Sequence, residues 1–281
     1  MADDSVSAWW SPDHSRLAFE AGGQALAEIY VWDVEREDLV RVTRNRTYDQ
    51  HPSWSPDGEL LVIQRHGEAH QSDGEIFIVQ ANGEGDPQRL TRNDFGDRNP
   101  VWSPNGETIA YTSDRGIFVY SLSEANQTRI TRAGLRDSAL SWSPDSKWLL
   151  FVRSFSESSS IMKIRSDGQR IQRLTTGSVD TEPQWAPGGS RIALVRCSTA
   201  TQCVLGVMPS AGGEVTVITG DISGGVGPGD FYPRWHPRGT RIVFDGRVNG
   251  SQAVQSVRAN GGPVTTLATP PSNATYWGLG W

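Results

Sequence analysis

Asp49, Asp97, Asp137, Asp180 and Asp230 each stand five residues before a tryptophan. Hard cations such as calcium take several oxygen ligands, so carboxylates repeated at one register could supply them. Gathered around one opening, they would form a calcium site or a socket for a basic partner segment. The pattern also has a purely structural reading: each carboxylate accepts hydrogen bonds from its own turn, or from the next repeat, and starts a strand. His66 and His70 could ligate a metal together with Glu68 or Asp73. Their spacing belongs to a loop rather than a helix face, and a solvated loop is the simpler account. Cys197 and Cys203 flank five residues at an expected hairpin tip. A disulfide there would imply an oxidising compartment, and reduced thiols in neighbouring strands are the alternative. The chain has no G-x-S-x-G elbow, P-loop, H-E-x-x-H or Cys/His zinc pattern, so catalytic residues are assigned to none. An enzyme assembled from loop residues stays open, because function resides in the site and not in the fold.

The elements that carry these residues repeat. Trp54-Ser55-Pro56-Asp57-Gly58 has variants headed by Trp10, Trp102, Trp142, Trp185 and Trp235, at spacings of 44, 48, 40, 43 and 50 residues. Periods of this size mean one supersecondary unit per repeat, each burying its apolar face on the next. Within a unit, a short strand ends at the Trp and the Ser-Pro-Asp-Gly turn follows. A second strand such as Arg16-Leu17-Ala18-Phe19 comes next, then a third such as Ile29-Tyr30-Val31-Trp32 and a fourth such as Arg41-Val42-Thr43. No segment has a helical period. The expectation is all-β: a six-bladed β-propeller of four-stranded antiparallel blades. It forms one domain over 1–281, with a C-terminal strand, 274–281, docked on the ring. The repeat tryptophans are read as wedges between blades and not as ligand platforms.

Composition narrows the function. The net charge of −6 disfavours nucleic acid, and no apolar run reaches membrane-spanning length. The first residues, Met1-Ala2-Asp3-Asp4, do not read as a signal peptide.

Strand alternation places the fourth-to-first and second-to-third loops at one end of the strands, and the Trp-Ser-Pro-Asp-Gly turns at the other. Most length variation lies at the first end. Thr219 to Trp235 is 16 residues, against 10 or 11 in the four earlier copies. Loops on a rigid scaffold are where binding concentrates. Asp221, His66, His70, Phe231 and Tyr232 are therefore the candidates for contacting a partner.

The pattern D-x-x-P-x-W-S-P-D-G, then R-I-A-F, I-Y-V-x-D and R-L-T, resembles the TolB-like (WD40-like) propeller repeat. It stands here at Asp49 to Gly58, Arg16 to Phe19, Ile29 to Asp33 and Arg89 to Thr91. The resemblance implies a bacterial propeller, periplasmic or otherwise extracytoplasmic, that binds a protein or peptide as a scaffold or sensor. It implies no cofactor and a chain that is monomeric or part of a larger polypeptide. A small-ligand or carbohydrate-binding propeller, or a lyase or hydrolase working at the channel mouth, is the alternative.

Overall fold

The computed structural model describes residues 6–22, 27–67, 74–199, 202–222, 231–248, 251–269 and 276–279, the last four by backbone alone. All regular elements among them are strands, and no helix is long and apolar enough to cross a membrane. Two compact units divide the chain, Met1–Leu135 and Arg136–Leu279.

The first unit holds three four-strand repeats. Repeat 1 is Val6–Trp10, Arg16–Ala21, Glu28–Asp33 and Asp38–Arg41; repeat 2 is Asp49–Trp54, Leu60–Arg65, Glu75–Gln80 and Gln88–Arg89; repeat 3 is Asp97–Trp102, Thr108–Ser113, Gly116–Ser121 and Asn126–Arg129. The second unit holds repeat 4, Arg136–Trp142, Trp148–Ser154, Ser159–Arg165 and Gln172–Arg173; repeat 5, Val179–Trp185, Arg191–Thr199, Gln202–Pro209 and Thr216–Val217; and repeat 6, Arg234–Trp235, Arg241–Val248, Ser251–Arg258 and Thr265–Ala268. Successive strands within each repeat pair antiparallel. A single parallel bridge, Ser159 to Val179, joins repeats 4 and 5 into one sheet. A further strand covers Tyr276–Leu279.

Both faces of the inner strands are buried, which explains why they read as continuous apolar runs. Leu61, Val62 and Ile63 are all fully buried. Alternation sends their side chains to opposite faces. Leu61 and Ile63 pack with Ile29 and Val31 of repeat 1, while Val62 packs with Ile109 and Tyr111 of repeat 3. In the second unit, Ile192 and Leu194 meet Leu150 and Val152, and Ala193 and Val195 meet Ile242 and Phe244. Trp54, Trp102 and Trp235 sit inside these inter-repeat cores. The indole N–H of Trp54 donates to Trp9 O at 2.9 Å, and that of Trp235 to Gln184 O at 3.1 Å.

The turn after each tryptophan satisfies its own polar groups. In repeat 2, Ser55 Oγ donates to Asp57 Oδ1 at 2.5 Å and accepts the Leu60 N–H at 2.9 Å, while Asp57 Oδ1 accepts the Glu59 N–H at 3.0 Å. Ser11–Asp13, Ser103–Asn105 and Ser143–Asp145 repeat the arrangement. The corner residue is left-handed: Gly58 has φ 74°, but His14 and Ser146 hold the same corner at 63° and 58°.

Candidate functional site

Four of the aspartates expected at a channel mouth, Asp49, Asp97, Asp137 and Asp180, have buried side chains at the starts of first strands. Each hairpin sets its aspartate opposite the residue sixteen positions on, and that residue decides its chemistry. Asp49 faces Arg65, Asp137 faces Arg153 and Asp180 faces Arg196. All three pairs are bidentate, at 2.7–2.8, 2.8–2.9 and 2.8–2.9 Å respectively. An arginine fork matches a carboxylate in this way, and the pair neutralises itself. The partner is thus a second-strand arginine, which neither reading of the sequence named. Asp97 faces Ser113 instead and accepts from Asn93 Nδ2 at 2.8 Å. Burial pushes its carboxyl up, against the hydrogen bonds from Asn93, Ser113 and Thr91. Asp230 lies outside the described residues. Among the described residues no group of three or more His, Cys, Asp or Glu side chains is placed to hold a metal.

Other residues occupy the loop end more openly. Three positions before the repeat tryptophan the first strand turns left-handed, at His51 (φ 53°), Asn99 (51°), Ala139 (53°) and Glu182 (49°). Register shifts accompany the turn in all four of these repeats. Such bulges re-aim side chains. Non-glycine residues at positive φ in every one of these copies mark a backbone held by its surroundings.

In the first unit, a polar cluster forms around His51. Glu20 Oε1 accepts the His51 N–H at 2.7 Å. Burial pushes Glu20 up to about 7, with that N–H opposing it. Burial, then the charge of His66, brings His51 down to about 4. At neutral pH this imidazole is neutral, and the carboxyl is near its midpoint. Tyr48, raised by burial and then by Glu20, meets the His66 ring edge-on at 5.8 Å. The amide nitrogens of Gln50 and Gln64 lie 2.9 and 2.8 Å from His66 Nε2. Gln64 Oε1 accepts the Asn99 N–H at 3.3 Å, which orients its amide nitrogen toward His66.

In the second unit, burial pushes the Glu182 carboxyl up, with Arg234 opposing. Burial pushes Arg234 down, countered by Glu182, Asp245 and Tyr232. These groups are partly desolvated yet remain half-exposed, a combination suited to binding or proton transfer.

Of the partner-contacting candidates, His66 joins the cluster and Tyr232 is half-buried near Arg234. Asp221 Oδ1 accepts the Cys203 N–H at 3.3 Å. Phe231 needs correcting: it is 1% exposed and packs with Ile222 and Trp235. An aromatic ring that covers the core between repeats 5 and 6 is unavailable as a surface anchor. His70 lies outside the described residues, as do 223–230 of the long loop. Cys197 and Cys203 are directly opposed and joined by a disulfide.

Sequence reading missed Glu20, His51, Gln64, Glu182 and Arg234. One signal was present: three residues before each tryptophan, the type changes from copy to copy (Ser7, His51, Asn99, Ala139, Glu182, Tyr232).

The comparisons with known proteins agree with this architecture. An uncharacterised protein of Agrobacterium fabrum is 22% identical over 226 residues, covering 65% of this chain and 77% of that one. TolB from Acinetobacter baumannii superposes with TM-score 0.62 at 18% identity, over 91% of this chain; the chain spans 61% of that longer protein. An oligogalacturonate lyase in complex with manganese superposes with TM-score 0.73 at 14% identity, over 94% of this chain and 76% of its own. At these identities the likeness to solved structures is one of fold. The family model of the TolB β-propeller domain matches residues 2–226, so four-strand repeats, turn chemistry and family model converge, and the chain belongs to the TolB β-propeller domain family.

Proposed function

We propose that the protein is a non-enzymatic scaffold or sensor that binds a protein or peptide through the loop end of its repeats. In this reading the six repeats form one six-bladed domain over 1–281, with 274–281 docked on the ring. The loop ends then surround the mouth of a central channel. The observation that carries the reading is the left-handed bulge: one backbone shape recurs in four copies while the residue on it changes among His51, Asn99, Ala139 and Glu182. Positions that serve packing keep their type from copy to copy, as the repeat tryptophan does. Positions that recognise a partner need not. The Asp–Arg pairs, already neutralised, give no support to a socket for a basic segment. The Cys197–Cys203 disulfide supports an oxidising, extracytoplasmic location, in keeping with the TolB name of the family.

The test is capture of envelope proteins by the purified chain, compared with His51→Asn, Glu182→Ala and a turn-end control, Asp57→Ala. Loss of the same captured protein in the first two but not the control supports the reading. Equal capture by all four would sink it.

A second reading rests on Glu20 and His51. A carboxyl near 7, held on the backbone N–H of His51, can exchange protons at neutral pH, as a lyase or hydrolase requires. Turnover of a polysaccharide lost in Glu20→Gln would favour it over the scaffold.

A further inference from the structure

The grooves between neighbouring repeats at the turn end are closed in three of the four cases described within the units, and open in the fourth. The residue six positions after each repeat tryptophan does the closing. Arg16 of repeat 1 stacks on Trp54 of repeat 2, 5.1 Å from the ring centre, and its Nη2 donates to Gly58 O at 2.8 Å. Arg191 of repeat 5 treats repeat 6 in the same way, 5.0 Å over Trp235 and 2.9 Å from Gly239 O. Leu60 of repeat 2 packs against the core cluster that holds Trp102 of repeat 3. Repeat 4 carries Trp148 there, and an indole offers no fork to reach the next turn. A groove of about 450 Å³ results, walled by Trp148, Trp185, Pro144 and Pro187 and rimmed by Asp145 and Ser190.

Lys163 lies on this groove and stands between the indoles, its Nζ 4.5 Å from the Trp148 ring centre and 5.4 Å from that of Trp185. An ammonium has three donors. One goes to Ser210 O at 2.9 Å, and none of the ion pairs among the described residues involves Lys163. Desolvation brings its pKa down, with the Asp145 charge opposing it, as expected of a cation held against aromatic walls and outside any direct ion pair.

We infer that this groove binds a sugar ring bearing a carboxylate. The carboxylate answers the unused donors of Lys163 with a charge-assisted hydrogen bond. Indole and proline surfaces suit the C–H face of a pyranose. Its hydroxyls need donors and acceptors at the rim, which Ser190 and Asp145 provide. A purely apolar acid would leave that rim unmatched. The volume falls in the range of small-molecule sites. Within the second unit the groove lies at the other end of the strands from Glu182.

Titration calorimetry of the full chain with glucuronate, glucose and acetate tests the assignment, because the two sugars differ only at the carboxylate-bearing carbon. Glucuronate should bind in roughly the millimolar range, at least about tenfold tighter than glucose or acetate. Lys163→Met should reduce glucuronate to the level of glucose. Trp148→Arg restores the residue that closes two other grooves and should abolish binding in a protein that melts normally. If that variant fails to fold, Trp148→Leu, which copies Leu60 of repeat 2, serves the same purpose. Glucuronate binding no tighter than glucose would overturn the proposal. Acetate matching glucuronate would also overturn it, by revealing a bare anion site, as would unchanged binding in both the Lys163 and Trp148 variants.

Discussion

Repeats 2 and 3 carry the same carboxylate at the same strand start, yet Asp49 faces Arg65 while Asp97 faces Ser113. One is half of a bidentate ion pair. The other is an acid without an arginine opposite, held by Asn93 and raised by burial. The backbone is the same, and both aspartates are buried. What recurs is thus a hydrogen-bond acceptor that ties the first strand to the second, and the countercharge is an option that three copies take. A residue that tolerates such a change of partner belongs to the scaffold. The left-handed residue three positions before the tryptophan behaves in the opposite way, since its shape is kept while its chemistry varies.

The largest effect should separate the two aspartates. Asp49→Asn leaves the mostly buried Arg65 without its countercharge and should cost about 3 kcal/mol in urea denaturation. Asp97→Asn removes a charge that burial already disfavours, so at pH 7 it should be neutral or stabilising. Equal losses in both would break the comparison.

The next effect concerns pH. The Glu20 carboxyl moves from 4.5 to about 7 on folding. Its contribution to stability is therefore complete below pH 4.5 and is lost as pH rises through 7. His51 moves from 6.5 to about 4, so its contribution is present above pH 6.5 and is lost as pH falls through 4. Each amounts to about 3 kcal/mol, and between pH 4.5 and 6.5 they oppose one another. Glu20→Gln should raise stability at pH 8 and expose a loss on acidification. His51→Asn, which copies Asn99 at the same left-handed angle, should expose a gain. Flat profiles in both variants would show that neither group titrates as its surroundings require.

Smaller effects test the turn end. Ser55→Ala removes the hydroxyl that both donates to Asp57 and accepts from Leu60, and should cost about 1 kcal/mol of melting stability. Ser146→Gly relieves a left-handed corner of φ 58° and should be stabilising by no more than about 1 kcal/mol. A larger gain would mean that the corner stores strain beyond its dihedral.

The repeat, the strands and the turns were legible in the order of residues alone. Those features depend on neighbours close in the chain: Ser55, Asp57 and Leu60 complete a turn within six residues, and alternation in Leu61-Val62-Ile63 reveals a strand buried on both faces. Even the Asp–Arg pairs follow from counting across one hairpin, though nothing local announces that the partner is an arginine in repeat 2 and a serine in repeat 3. The remainder came from how the repeats stack. Glu20 reaches His51 across 31 residues, and Arg16 reaches Gly58 across 42. Each contact requires one repeat to lie on the next at a particular register. The desolvation that shifts Glu20, His51 and Lys163 likewise comes from that stacking. A side chain acquires its working chemistry here from the neighbouring repeat, and no spacing within its own repeat encodes that neighbour.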